Sequence, residues 1–302
     1  MDNLDDILTI ASEKSTEVKK SENPTFNKAT WSEQKKRERE QIYALIDKSA
    51  ESLSKDGSKF KDFLDIQSKF DRYSVANNLL ILAQNPNATK LADYKAWDKS
   101  GTPVKKGESG ITILEPGNDY TREDGSVGVM FKTKKIFDIS QTSAKQQEQP
   151  GVNKDERILI RALINDTPVP INISDNLPSS VNALYKPDVK EILIRKGLDG
   201  LDIFKALSQE LAHAQMDKGG YKRGECIFPA YCVSYILCKR NGLDVSTYSF
   251  EHLPEKYGAM EAKDIRAELS IIRDTANDIS SNMSKILEPS KSNIKEKDNN
   301  AR

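Results

Sequence analysis

The stretch "QTSAKQQEQPGVNKDE", from Gln141 to Glu156, limits the folds open to this chain more than any other feature. It carries a Pro-Gly step and few apolar side chains, so it has little to bury and reads as a linker between two differently patterned regions. With 302 residues, 37% hydrophobic and 30% charged, the chain has room for two modest domains and polar tails. The expected division is a disordered tail over 1–28, a first domain over 29–143, the linker over 144–156, a second domain over 157–286 and a disordered tail over 287–302.

The first region starts helical. Thr30 and Glu33 in "TWSE" have the spacing of a capping box, and Ile42, Leu45 and Ile46 recur at helical spacing in a run to about Ser54. A second helix is expected over Lys59–Lys69. Ser74 caps a third, "VANNLLILAQN", which Pro86 ends. After "DYKAW", a short helix or turn, and the Gly- and Lys-rich "GTPVKKGESG", the pattern turns to strands: "ITILEP", the turn "REDGS", then "VGVMFKTKKIFDIS". These elements predict helices on a small antiparallel sheet, and the chain as a whole is of the α+β class.

The second region opens with "RILIRALIND", helix or strand, and "VPINIS", followed by a short strand at Ile192–Ile194. Asp199 or Asp202 caps the next helix and Gly219 or Gly220 ends it. A helix over about 227–241, closed by Gly242, and an amphipathic one over about 262–286 complete it.

The helix after Asp199 contains "LSQELAHAQMDKGG", Leu207 to Gly220, one residue away from the pattern H-E-x-x-H. In that pattern two imidazoles one turn apart grip a zinc ion and the Glu acts as general base. Here Gln209 stands at the first ligand position, Glu210 at the base and His213 at the second ligand. A carboxamide oxygen is a weak zinc donor, so the expectation is a remnant: a partly buried helix histidine hydrogen-bonded to Glu210 or Gln209, with zinc at most weakly held and no cofactor otherwise. The second histidine of the chain, His252 in "SFEHLPEKYG", has no spacing that recommends it as a replacement.

Lys plus Arg and Asp plus Glu each number 46, so no global field draws nucleic acid or a membrane, and a polyanion site has to be local. The acidic start "MDNLDDILTI" lacks the basic flank of a signal peptide, and no apolar run spans a bilayer, so a cytoplasmic location without membrane partners is expected. The three cysteines, Cys226, Cys232 and Cys238, rotate by about 240° per step of six residues on a helix and share no face. Packed free thiols are the expectation.

One local patch fits single-stranded nucleic acid, which needs cations along the backbone and flat rings for the bases. Lys95, Lys99, Lys105 and Lys106 interleave with Tyr94 and Trp97, and Gly107 and Gly110 allow amides to approach a phosphate. Lys132, Lys134 and Lys135 extend the patch along the second strand, while Asn77, Asn78 and Gln84 offer amides to base edges. The competing expectation puts Trp97 in the core, the lysines in solvent and the two asparagines at work within their own helix.

The block "YSVANNLLILAQNPNATKLADYKAWDKSGTPVKKGESGITILEP", with "FDISQT" at Phe137–Thr142, resembles the N-terminal single-stranded-DNA-binding domain of ArdC-type antirestriction proteins, to which LtrC-type proteins of conjugative elements are similar. The resemblance covers about 30–143. It implies that a zincin-like metallopeptidase domain follows, and "EILIR" as edge strand, the motif helix and a supporting helix have that outline. It implies that the first His falls on Gln209, the Glu on Glu210 and the second His on His213. A third ligand, a Glu, falls on Tyr231, with Cys232 or Glu225 nearby. On this resemblance the chain is a single-stranded-DNA-binding protein of a mobile or conjugative element, serving antirestriction or protection of the transferred strand. Conjugation or restriction proteins are then its protein partners and the metallopeptidase-like domain is degenerate. The alternative is an active metalloprotease with Glu210 as base and unorthodox metal ligands.

Overall fold

A computed structural model describes residues 28–122, 124–144 and 155–288. Most of both expected tails and of the expected linker lies outside these residues. The chain divides into two compact units, Met1–Glu40 and Gln41–Arg302, and the boundary falls within the first helix, α1 (Lys28–Leu53). That helix begins two residues before Thr30, the expected cap. Among the described residues of the smaller unit, Arg37 pairs with Glu33 at 2.8 Å, an i,i+4 contact of a polar helix.

In the larger unit, α2 (Gly57–Lys69) is capped by Asp56, whose carboxylate accepts from the N–H groups of Ser58 and Lys59. Ser74 caps α3 (Val75–Gln84) as its sequence position predicts. The first sheet contains β1 (Leu91–Asp93), β2 (Ile111–Thr121) and β3 (Val127–Asp138) in the antiparallel order β1-β3-β2, with α4 (Tyr94–Lys99) after β1. The buried carboxylate of Asp138 ends β3 and accepts from the N–H groups of Thr89, Lys90 and Ser140. Burial pushes its pKa up, but these amides outweigh that and hold it below the usual carboxylate value.

The second region contains α5 (Glu156–Leu163), β4 (Ile171–Ser174), β5 (Ala183–Lys186), β6 (Glu191–Arg195), α6 (Gly200–Met216), α7 (Arg223–Arg240), the single turn α8 (Glu255–Gly258) and α9 (Ala262–Leu287). "RILIRALIND" is thus helical. The sheet order is β4-β6-β5, parallel between β4 and β6 and antiparallel between β6 and β5. "EILIR", expected at an edge, is therefore the central strand. The edges are β4 and β5, and β5 comes from "ALYK", too short and mixed to announce itself.

The change in character at 144–156 is not a division in packing. One hydrophobic cluster runs from Ile46, Phe60 and Leu79 to Tyr185, Phe204, Tyr235 and Met283. The Phe60 ring of α2 lies 5.3 Å from Phe228 and 5.6 Å from Tyr257, and the Tyr235 hydroxyl donates to Asp65 at 2.7 Å. At Gly57 an added Cβ would lie 1.6 Å from the carbonyl oxygen of Phe250, so only glycine lets these segments touch. A smaller cluster, with Ile66, Phe70, Ile81, Ile111, Ile113 and Ile136, joins the first sheet to its helices. No described helix is long and apolar enough to cross a membrane.

Candidate functional site

Two places carry the residues singled out by the sequence. At the first, many polar side chains turn out to be engaged in holding the sheet. Asn77, buried, donates from Nδ2 to the Leu114 carbonyl at 2.8 Å and accepts at Oδ1 from the Leu114 N–H at 2.9 Å. Gln84 does the same for Thr112, with both contacts at 2.9 Å. Each carboxamide thus replaces a neighbouring strand along the outer edge of β2. Asn78 is fully buried and donates to Gln67 and to the Phe70 carbonyl. None of the three amides is turned to a base edge. Trp97 is 4% exposed and its indole N–H donates to the Phe137 carbonyl at 2.9 Å, so it anchors α4 to the sheet instead of offering a stacking surface.

Lys134 lies 3.0 Å from Asp93 and 3.3 Å from Glu115, and Lys132 lies 3.3 Å from Glu115. This face of the ribbon is close to neutral. Lys105 reaches the Ser140 carbonyl at 3.0 Å and Lys135 the Gly110 carbonyl at 2.9 Å, leaving both ammonium groups at the surface. Lys95, Lys99 and Lys106 are exposed, as is Gly107 at φ 89°. Tyr94 is 55% exposed and meets the Phe137 ring edge-on at 6.3 Å.

Strand alternation shows what single-residue reasoning missed. Ile136 points into the core, so Phe137, Lys135, Thr133, Phe131, Val129 and Val127 share the opposite face of β3. Phe131, Val129 and Val127 on that face are 40%, 44% and 67% exposed. The signal was present as the period of two in "VGVMFKTKKIF", but which parity faces solvent is set by the helices that cover Ile136.

The second place is the motif helix α6. Asp199 caps it, accepting from the Asp202 N–H at 2.8 Å. Its amphipathic spacing then turns Glu210 and His213 inward. Glu210 is 3% exposed. Arg223, at the start of α7, grips it with both ends of its fork: Nη1 donates to Oε2 at 2.9 Å and Nη2 to Oε1 at 2.7 Å. The N–H of Tyr185 on β5 also donates to Oε2 at 2.7 Å. His213 is fully buried, and its partner is neither Glu210 nor Gln209 as expected: its Nδ1 lies 2.9 Å from the Tyr221 hydroxyl, Glu210 being taken by Arg223 and Tyr185, and its Nε2 has no partner. Burial lowers the His213 pKa to about 4, with Glu210 opposing the shift and Arg223 adding to it, so the ring is neutral at pH 7. Burial likewise pushes the Tyr221 hydroxyl up to about 12.

Gln209 and Tyr231 line a cavity of about 370 Å³ in front of this helix, together with Asn182, Glu210, Arg223 and Tyr248. The Tyr231 hydroxyl is held by the Ser249 N–H at 2.8 Å and its ring packs 4.8 Å from Tyr248. Cys232 is buried, Glu225 is exposed and pairs with Lys222, and His252 is exposed in its loop. No described group of three or more His, Cys, Asp or Glu side chains could hold a metal ion. Nε2 of His213 has no partner among the described residues; the other motif positions hold a carboxamide, Gln209, and a carboxylate, Glu210, whose oxygens are taken by the Arg223 guanidinium. The residues present do not fit a zincin metal site. The three cysteines are free, Cys226 half-buried and the others buried.

Residues 13–161 match a family described as the N-terminal domain of the anti-restriction factor ArdC. That stretch is an ArdC-type N-terminal domain. The match extends beyond residues 30–143, the span of the resemblance in sequence. The chain is 23% identical over 290 residues to an uncharacterized pXO2 protein of Bacillus anthracis, covering 76% of this chain and 49% of that one. It thus spans about half the length of that curated relative. Two crystal structures of the antirestriction protein ArdC from plasmid R388 are similar at 17% identity. The metal-free one has a TM-score of 0.47 and covers 70% of this chain and 86% of its own. The Mn(II)-bound one has a TM-score of 0.45 and covers 70% and 85%.

Proposed function

We propose that this ArdC-like chain binds single-stranded DNA across the open face of the β1-β3-β2 sheet, in an antirestriction or strand-protecting role for a mobile element, and that its second half does not act as a peptidase. The observation that carries the binding site is the exposed row of alternate residues on β3, ending at Phe137, where Tyr94 meets it. The ring of Phe131 on this row and that of Tyr94 at its end are exposed and offer bases stacking surfaces that no sequence preference restricts. Lys95, Lys99, Lys105 and Lys106 supply cations on the same part of the chain, and zero net charge limits the number of phosphates neutralised to a few. Lys132 and Lys134, tied to carboxylates on the other face, play little part. The family match supports the antirestriction role, in the words of its description.

Fluorescence anisotropy with a labelled single strand and the matching duplex, using the full chain, tests the binding. Preference for the single strand, weakened at least fivefold by Phe131→Ala and by Tyr94→Ala, is the expected result. Equal binding to duplex, or no effect of either variant, overturns it. The antirestriction role is tested by the survival of incoming unmodified DNA in a restricting host with and without the chain; unchanged survival overturns that role.

A further inference from the structure

We infer that the guanidinium of Arg223 has taken over, as a built-in cation, the charge that a bound metal would bring to the motif helix, and that it bars a metal from the site. The inference rests on the reading that the second half is not a peptidase, and concerns how that state is held. Glu210 is a buried carboxylate that needs positive charge close by, because low dielectric makes an unpaired anion costly. Both of its oxygens face the Arg223 fork, at 2.9 and 2.7 Å, and a backbone N–H completes the set. The carboxylate is left with little capacity to act as a base toward water or as a partner of a second cation.

The pair also joins three elements: Glu210 on α6, Tyr185 on β5 and Arg223 on α7. A divalent ion approaching Gln209 and His213 would enter beside this fixed like charge, which it could not deprotonate or displace as it could a water molecule. The side chains at the ligand positions agree with this: Gln209 is neutral, and Tyr231 has its hydroxyl committed to Ser249. Restoring a histidine at 209 is therefore not enough to restore a metal site. Arg223 has to go as well.

Zinc binding to the full chain, by isothermal titration and by metal content after dialysis, compares the wild type, Gln209→His, Arg223→Ala and Gln209→His with Arg223→Ala. The expected result is no stoichiometric zinc or manganese on the wild type, and zinc bound at least tenfold more tightly by the double variant than by Gln209→His. Stoichiometric metal on the wild type, or equal affinity of the double variant and Gln209→His, overturns the inference. If Arg223→Ala does not fold, Arg223→Met keeps the apolar stem and removes the charge, and the same comparison holds. The wild-type melting curve gives an independent readout: unchanged by chelator or added zinc is expected, and a clear stabilisation by zinc overturns the inference. Failure of DNA binding would leave all these results untouched, so the two readings fail separately.

Discussion

The face of the first sheet and the motif helix invert what their sequences lead one to expect. "SQELAHAQ" carries residues with obvious chemistry, and the fold spends them internally: Glu210 on an arginine and an amide, His213 as a neutral buried ring. "VGVMFKTKK" carries no motif, yet the fold leaves its alternate side chains uncovered. Residue type alone does not say where chemistry can happen; burial and partners decide it.

The contrast can be broken from either side. Arg223→Ala should have the largest effect, because it strands a buried carboxylate. A loss of about 4 kcal/mol and a fall in Tm of roughly 10 °C are expected in calorimetry, with DNA affinity of the folded fraction unchanged. A large loss of DNA binding by folded protein would show that the two regions are not independent.

Acid should loosen the same region. His213 has a folded pKa near 4 against 6.5 when unfolded, so the unfolded chain binds more protons between those values. Its contribution is complete above about pH 6.5 and is lost as the pH falls toward 4, on the order of 3 kcal/mol. Denaturant titrations at pH 7 and 5 measure this, and a His213→Asn variant should show a flatter profile.

Gly57→Ala tests the shared core. Its Cβ would meet the Phe250 carbonyl, and a loss of about 2 kcal/mol is expected, in a single unfolding transition whether followed by Trp fluorescence or by circular dichroism. Two separate transitions would instead support independent folding of the two sequence regions. The smallest effects belong to the open face. Phe131→Ala should cost about 1 to 2 kcal/mol of single-strand affinity and leave stability nearly unchanged. Lys106→Ala should weaken all sequences alike and reduce the salt dependence by about one phosphate contact.

Much of the local structure was legible. Ser74 and Asp199 cap their helices as their positions indicate, because a cap depends on residues only a few positions apart. Strands β2 and β3 follow from alternation and from the turn between them, whereas the three-residue β1 does not announce itself. What escaped depends on distant partners. The roles of Asn77 and Gln84 are set by a strand almost thirty or more residues away, and Trp97 by the carbonyl of Phe137. Arg223 follows the motif by only thirteen residues, but a turn intervenes, and nothing in "KRGE" tells that the guanidinium reaches back to Glu210. The central place of "EILIR" required knowledge that "ALYK" pairs with it. The N-terminal resemblance was readable from ordered, unusual segments, whereas the parity of β3 became readable only with its helices in place.

The carboxamides of Asn77 and Gln84 have a consequence for how copies of this molecule meet. A foreign strand laid along β2 finds the peptide groups of Thr112 and Leu114 already saturated. On the other side of the sheet, β1 covers β3 only at Ile136–Asp138. Stacking one sheet on the next in an endless ribbon needs two receptive borders on each copy. With the Thr112 and Leu114 groups occupied, β2 leaves a foreign strand only the part of its border beyond Leu114.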